Sequence, residues 1–369
     1  KIHDLFLEHV MQQAPGYKKL IDMAGAPIMP TPAAVCLMME SIARREHLNL
    51  IGVDIGGATT DVFAVFDGVF NRTDSANLGM SYSISNVLAE AKLANIMRWV
   101  PFTIDEQTLR NRIKNKMIRP TTIPQTLDEL QIEHAIAREA LRLALIHHKS
   151  LATGLKGVQQ ERTISDVFEQ QTSGRTLIDM RKLNLIVGSG GILSHAPRRI
   201  QSMLMMVDAY EPVGCTILSV DSIFMMPHLG VLSTIDEKAA TDVFVRDCMI
   251  YLGTCVAPVG QGKDGDTCAD YAITFADGRI VKDRLLFGDL KHYPLESGAK
   301  VAITMHPAKS IDAGAGPGAP VTRDLLGGVV GLLLDGRGRP LQLPAEPSAR
   351  VTALKKWFDA VDLYPKGSA

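Results

Sequence analysis

The 369-residue chain has no uncharged apolar run of about 18 residues, so it offers no membrane-spanning helix. Neither charge is in excess: 39 Lys+Arg stand against 40 Asp+Glu. That balance argues against a general nucleic-acid binder. There is no C-x-x-C pair. The five cysteines, Cys36, Cys215, Cys248, Cys255 and Cys268, are odd in number and read as buried thiols in a reduced, cytoplasmic setting. A zinc site at Cys248, Cys255 and Cys268 is the alternative, although structural-zinc spacing is missing. Lys1-Ile2-His3-Asp4 has no signal-peptide layout and no initiator Met, and reads as the start of a fragment. No G-x-S-x-G occurs, and no cysteine has an obvious base, which leaves a Ser or Cys hydrolase unsupported. No internal repeat is visible. The composition, 46% hydrophobic and 21% charged, is globular, and the length suits two or three compact units.

What the chain does have is V-D-I-G-G-A-T-T-D at Val53 to Asp61, after the apolar run Leu48-Asn49-Leu50-Ile51-Gly52. This predicts a buried strand, a glycine turn and a second strand over Val62 to Phe66. Gly56 and Gly57 let the backbone approach an anion closely, and successive amides at such a bend form an anion-binding nest. Asp54 and Asp61 would repel bare phosphate. The pattern therefore makes best sense with Mg²⁺ between carboxylate and phosphate oxygens. A plain β-hairpin with a Gly-Gly turn is the competing reading.

A second glycine loop, Gly188-Ser189-Gly190-Gly191, follows the apolar strand Leu183 to Val187 and precedes a helix expected from Ala196 to Val207. Strand, glycine loop and helix together can put bare amides against a nucleotide. Two such loops in one α/β frame suggest a single nucleotide held at both ends, its phosphates by the first and its nucleoside by the second. His195 would cap the next helix or line the cleft. On the long helix predicted by the Thr126–Glu129 capping-box spacing, Arg138 and Arg142 share a face with Glu139 nearby. An anionic or π-rich partner such as adenine would relieve the Arg–Arg repulsion; a solvated face is the alternative.

Elsewhere the pattern predicts two helices around Pro27-Ile28-Met29-Pro30-Thr31-Pro32, a helix over Ser81 to Arg98, and a proline-bounded loop over Asn115 to Pro124. It also predicts a strand over Thr216 to Val220 and a helix over residues 233–252. From about residue 269 the texture becomes short strands: Tyr271–Phe275, Ile280–Leu286, Lys300–Met305, Val329–Leu334 and Pro340–Leu343. A helix over Ser348 to Val361 follows, with Ser348 as a candidate cap. The expected organisation is a helical lead-in (1–47), an α/β lobe with a helical insertion (48–268), a small β-rich domain (269–345) and a closing helix with tail (346–369).

Asp54-Ile55-Gly56-Gly57-Ala58-Thr59-Thr60-Asp61 resembles the phosphate turn of the actin-like ATPase superfamily, and Gly188 to Gly191 resembles its adenosine loop. More specific strings narrow the resemblance. They are Pro27 to Pro32, Arg72-Thr73 with Ser75 to Tyr82, Asn115 to Thr122, Gly188 to Pro197 and Val220 to Pro227. Over nearly its whole length the chain is similar to the MutL/GlmL family encoded beside coenzyme-B12-dependent glutamate mutase. The DNA mismatch-repair protein of the same name is a different protein. The resemblance implies an actin-like (ribonuclease H-like) α/β lobe and a chaperone-like ATPase, with ATP and Mg²⁺ as cofactors. The implied partner is an adenosylcobalamin-dependent mutase subunit that the protein reactivates or helps assemble; homodimer formation stays open. Asp54 and Asp61 would hold the metal and serve catalysis. Gly56, Gly57, Ala58, Thr59 and Thr60 would contact phosphates. Gly188, Ser189, Gly190 and Gly191 would take the nucleoside, with Glu139 and Arg142 as base contacts. In the superfamily a first lobe supplies another phosphate loop. None precedes Asp54 here, so weak nucleotide binding and poor hydrolysis are expected of this chain by itself. A small-molecule kinase and a non-catalytic scaffold that binds a mutase subunit are the alternatives.

Overall fold

The computed structural model describes residue 9 and residues 13–26, 28–153 and 176–365. Two helices, α1 (Tyr17–Met23) and α2 (Thr31–Glu46), lead into β1 (Leu50–Ile55), β2 (Thr60–Phe66) and β3 (Val69–Ser75), an antiparallel meander. The helical segment that follows is α3 (Ile84–Ala91), α4 (Leu93–Met97), α5 (Glu106–Ile118) and α6 (Leu127–Leu151). The chain then returns through β4 (Leu185–Ser189), the single turn α7 (Gly191–Ser194), α8 (Arg199–Tyr210) and β5 (Gly214–Asp221). β4 pairs parallel with both β1 and β5. The order β3-β2-β1-β4-β5, with only β2 antiparallel to its two neighbours, is the ribonuclease H-like arrangement.

Alternation along β1 divides its side chains between two cores. Ile51, Val53 and Ile55 enter one cluster with α3, α6 and α8; Leu50 enters the other with α2. Every residue of β2 is buried, as suits a strand covered on both faces. Fully burying an aliphatic side chain contributes about 1.5–3 kcal/mol, so this three-layer core dominates the stability of the lobe. Gly52 permits the close approach of α2, since a Cβ there would lie 2.4 Å from Met39 Cε.

Several elements differ from the sequence expectation. Lys92, at φ 66°, splits the helix expected over Ser81–Arg98. α5 occupies most of what reads as loop before Pro120, with Leu109 and Ile113 as its buried residues. α9 (Met226–Ser233) ends where the helix expected over 233–252 should begin, and that stretch holds instead α10 (Glu237–Val243) and a wide turn at Phe244–Cys248. It gives way to a strand, β6 (Met249–Ala257). α6 keeps its capping box, with Thr126 Oγ1 accepting from Glu129 N at 3.3 Å and Glu129 Oε2 accepting from Thr126 N at 3.2 Å.

β6 runs antiparallel to β5 and carries the sheet onward through β12 (Gly331–Asp335) to β9 (Leu290–Tyr293), eight strands in all. β7 (Thr267–Phe275), β8 (Ile280–Leu286), β10 (Lys300–Pro307) and β11 (Val321–Leu326) form a separate four-stranded sheet, order β11-β10-β7-β8. Its core is shared with Val256 of β6 and with Leu332 and Leu334 of β12. Pro340–Leu343 is turn and coil rather than strand. The closing helix α11 (Pro347–Ala360) is capped by Glu346, not Ser348: the Glu346 carboxylate accepts from the amides of Ser348 and Ala349. Among the described residues no helix is long and apolar enough to cross a membrane. The five cysteines are free, and no three metal-ligating side chains gather among the described residues, so the zinc alternative has no site there.

Candidate functional site

The β1–β2 connection folds as a tight glycine turn. Gly56 N donates to Thr59 O at 2.9 Å, and the carbonyls of Gly56 and Gly57 accept from Met80 N and Ser81 N, each at 2.9 Å. The following segment is thereby pinned beneath the turn. Gly79 makes this possible, because a Cβ on it would lie 2.4 Å from the backbone of Gly57 and Ala58. The amides of Gly57, Ala58 and Thr59 make no hydrogen bond to the chain among the described residues. Three free N–H groups on a bend are the components of an anion nest.

The second glycine loop meets the first. Gly190, at φ +94°, sits so close to β1 that a Cβ would lie 2.1 Å from the Ile55 carbonyl oxygen. A Cβ on Gly191 would meet nothing within 4 Å. Between the loops lies a cleft of about 860 Å³, with Gly56 and Gly57 at one end and Gly191 to Arg198 at the other. The facing wall is the strap at residues 120–126 and the first turns of α6. Ile55, Met80, Ile123, Leu127, Leu130 and Ile192 make much of the lining apolar. A concave, mainly apolar pocket with a polar mouth is the usual form of a small-ligand site. Lys116 Nζ fastens the strap by donating to the Thr122 carbonyl and to Glu133 Oε1, the latter at 2.7 Å. His195 lines the cleft and is exposed.

The carboxylates stand at the edge of this cleft and do not line it. Asp54 shares a strand face with Leu50, toward α2, whereas Ile55 faces the cleft. Cross-strand register puts Asp74, Asp61, Asp54 and Ser189 in one row over β3, β2, β1 and β4. Asp221 of β5 lies one step beyond the paired Gly188 and Val220, and so continues the row. Asp74 is paired with Arg72. Asp54, Asp61 and Asp221 form no salt bridge among the described residues. Burial, reinforced by Asp221, pushes the Asp54 carboxyl up to about 6. Burial and the neighbouring Asp74 push Asp61 up to about 8. Asp221 is fully buried and accepts from the amides of Ile223 (3.3 Å) and Met226 (3.0 Å).

Not every residue expected in the site is there. Thr60 is fully buried and its hydroxyl is spent on the Leu78 carbonyl, so Thr59, half-buried at the turn, is the accessible threonine. Gly188 is a packing glycine in β4, facing Met206 Sδ and Leu193. Ser189 is fully buried, and its hydroxyl has no hydrogen-bond partner. Glu139 and Arg142 lie apart from the cleft. Glu139 is fully buried and accepts from Arg98 Nη2 (2.7 Å), Trp99 Nε1 (2.8 Å) and Arg142 Nε (2.8 Å). Arg142 lines a different hollow with Arg98, Lys149 and Arg339. Their place is taken by residues that sequence reasoning missed: Lys116, Glu133 and His134. The signal that could have found them is the proline strap leading into the capping box, which aims the first turns of α6 at the glycine loops.

Sheet order and strand directions define an α/β lobe of ribonuclease H-like fold, with the glycine turn at the end of its first strand. The model of the MutL protein family matches residues 1–248, and the chain belongs to that family. A curated relative, Protein MutL of Clostridium tetanomorphum, is 23% identical over 261 residues, covering 63% of this chain and 53% of the relative. The chain thus spans about half the length of that relative. Two solved structures align over part of the chain. One is component A of the (R)-2-hydroxyglutaryl-CoA dehydratase of Acidaminococcus fermentans (12% identity, TM-score 0.26, 54% of this chain and 64% of that one). The other is the activator of the 2-hydroxyisocaproyl-CoA dehydratase from Clostridium difficile with bound ADPNP (14%, 0.27, 58% and 70%). Both overlays are loose.

Proposed function

We propose that this chain is the nucleotide-holding lobe of a chaperone-like ATPase that reactivates or assembles an adenosylcobalamin-dependent mutase of the glutamate mutase type. The observation that carries the nucleotide part is the joining of two glycine loops around one apolar cleft, with a nest of free amides at Gly57 to Thr59. Adenine and ribose would lie between Gly191 and the 120–126 strap. The phosphates would pass over the turn toward Asp54 and Asp61. Membership of the MutL family supports the mutase partner.

The donor set fits a hydrated Mg²⁺. Asp54 and Asp61 are adjacent, largely buried carboxylates without a cationic partner among the described residues, and Ser189 adds an orphaned hydroxyl beside them. Water and phosphate would complete the coordination, as is usual for this ion. When bound it would neutralise polyphosphate charge. The chain's own part is positioning: the nest orients the phosphates, the apolar walls exclude water from the nucleoside, and Asp54 can orient a water at the strand end.

Isothermal titration of this chain with ADP and Mg²⁺ tests the nucleotide part; saturable one-site binding is expected, and no heat at any concentration overturns it. Co-purification of the full-length protein with a mutase, with and without ATP, followed by recovery of mutase activity, tests the partner. Capture without any ATP dependence would favour a scaffold.

A further inference from the structure

Ser189 poses a specific problem. Its side chain is fully buried and its Oγ has no partner, although a buried hydroxyl left unpaired is costly. The residue lies in register with Asp54 on β1, and Asp221 follows it across the sheet on β5. Residues in register on parallel strands point to the same face. The orphaned hydroxyl therefore lies between two carboxylates that have no cationic partner among the described residues. Asp221 keeps acceptor capacity, because each of its oxygens takes a single backbone N–H.

We propose that Ser189 and Asp221 complete, together with Asp54, a site for a hydrated divalent cation at the carboxyl ends of β1, β4 and β5. Resting on the nucleotide reading above, this adds Asp221 to the ion site, makes Ser189 one of its ligands and places its centre between β1 and β5 rather than between Asp54 and Asp61 alone. No three carboxylate, imidazole or thiolate groups converge here among the described residues. The site therefore supplies two carboxylates and one hydroxyl and leaves the other positions to water or phosphate, a set that suits Mg²⁺ or Mn²⁺. Ser189 Oγ would contribute a neutral oxygen or hold one of the ion's waters. In either role the ion resolves the unpaired hydroxyl.

The test is Mn²⁺ binding followed by electron paramagnetic resonance, with and without ADP, for the wild type, Ser189→Ala and Asp221→Asn. One Mn²⁺ per chain is expected for the wild type. Ser189→Ala should weaken it about fivefold, the loss of one neutral contact, while leaving the melting temperature unchanged or raised because the orphaned group is gone. Asp221→Asn should weaken it by about tenfold or more; circular dichroism reports whether the lost backbone acceptor disturbs the fold, and Ser189→Ala decides if it does. Unchanged Mn²⁺ affinity in Ser189→Ala, or no Mn²⁺ bound by the wild type in either condition, overturns the proposal. Weakened Mn²⁺ binding in the variants together with no ADP binding anywhere would leave the ion site standing and remove the nucleotide instead.

Discussion

Gly190 lies against the carbonyl of Ile55, closer than any side chain would allow: a Cβ would come within 2.1 Å of that oxygen, at a backbone φ of +94°. This contact sets the spacing between the two glycine loops. Gly190→Ala should therefore push β4 from β1 at the cleft mouth. The expected loss is about 2–4 kcal/mol, combining left-handed strain with overpacking. Urea unfolding checks it. Gly191→Ala, which meets open space, is the matched control: it should fold normally and obstruct ligand instead.

Asp54→Asn separates chemistry from folding. In the full-length protein, ATP turnover should fall roughly a hundredfold, the scale seen when one electrostatic contact to a developing charge is lost. Stability should not fall, because Asn removes a charge that burial disfavours. Steady-state ADP release alongside a thermal melt gives both values. Unchanged turnover would take Asp54 out of the site.

Two buried histidines predict acid sensitivity. Burial, aided by Arg138, holds His134 down at about 3. Burial, with His147 and Lys149, holds His148 at about 4. Both lie below the ordinary value of about 6.5, so the unfolded chain binds these protons first. Their contribution is fully present above pH ~6.5 and is lost progressively as pH falls toward 4 and 3. The raised carboxyls of Asp54 and Asp61 act in the opposite sense over this range, gaining stability as pH falls. The histidine contribution is therefore read as a difference: the urea midpoint of wild type relative to His148→Gln should fall from pH 7.5 through 6 to 5, and a difference constant with pH would contradict the assignment.

Asp208 is gripped on both oxygens, by Arg138 Nε at 2.7 Å and by Arg337 Nη1 at 2.8 Å, all three residues being buried. Arg337 and Arg339 also share Asp335. Asp208→Ala would strand buried guanidinium groups and should cost about 3–5 kcal/mol, measured by denaturant unfolding.

Glu139→Gln tests the displacement of Glu139 from the cleft. It should weaken the junction with Arg98, Trp99 and Arg142 by about 1–3 kcal/mol and leave ADP affinity unchanged. A tenfold drop in affinity without loss of stability would return Glu139 to the site.

The parts of this molecule legible in the sequence are those fixed by local chemistry. The Gly56–Gly57 turn follows from two glycines between apolar runs, and the start of α6 from Thr126 and Glu129. α5 was hidden because only Leu109 and Ile113 of its thirteen residues are buried, leaving little apolar period to read. β6 was hidden because α10 runs through Phe244–Cys248 into strand with no glycine or proline to mark the change. The surroundings of Glu139 and Arg142 are illegible for a different reason: Arg98 and Trp99 reach Glu139 from another helix end, forty residues away in the chain. Asp221 and Ser189 became visible once strand register aligned them with Asp54.

The unbroken hydrogen bonding from β3 through to β9 has a mechanical consequence. Eight strands joined edge to edge resist bending in the plane as a stiff plate does, and the Arg138–Asp208–Arg337 clasp ties the helical layer to β12. A load applied near β9 would tilt the plate as a whole rather than prise the glycine loops apart. The cleft's facing wall, the 120–126 strap, is outside that plate and is held instead by Lys116, through Thr122 and Glu133.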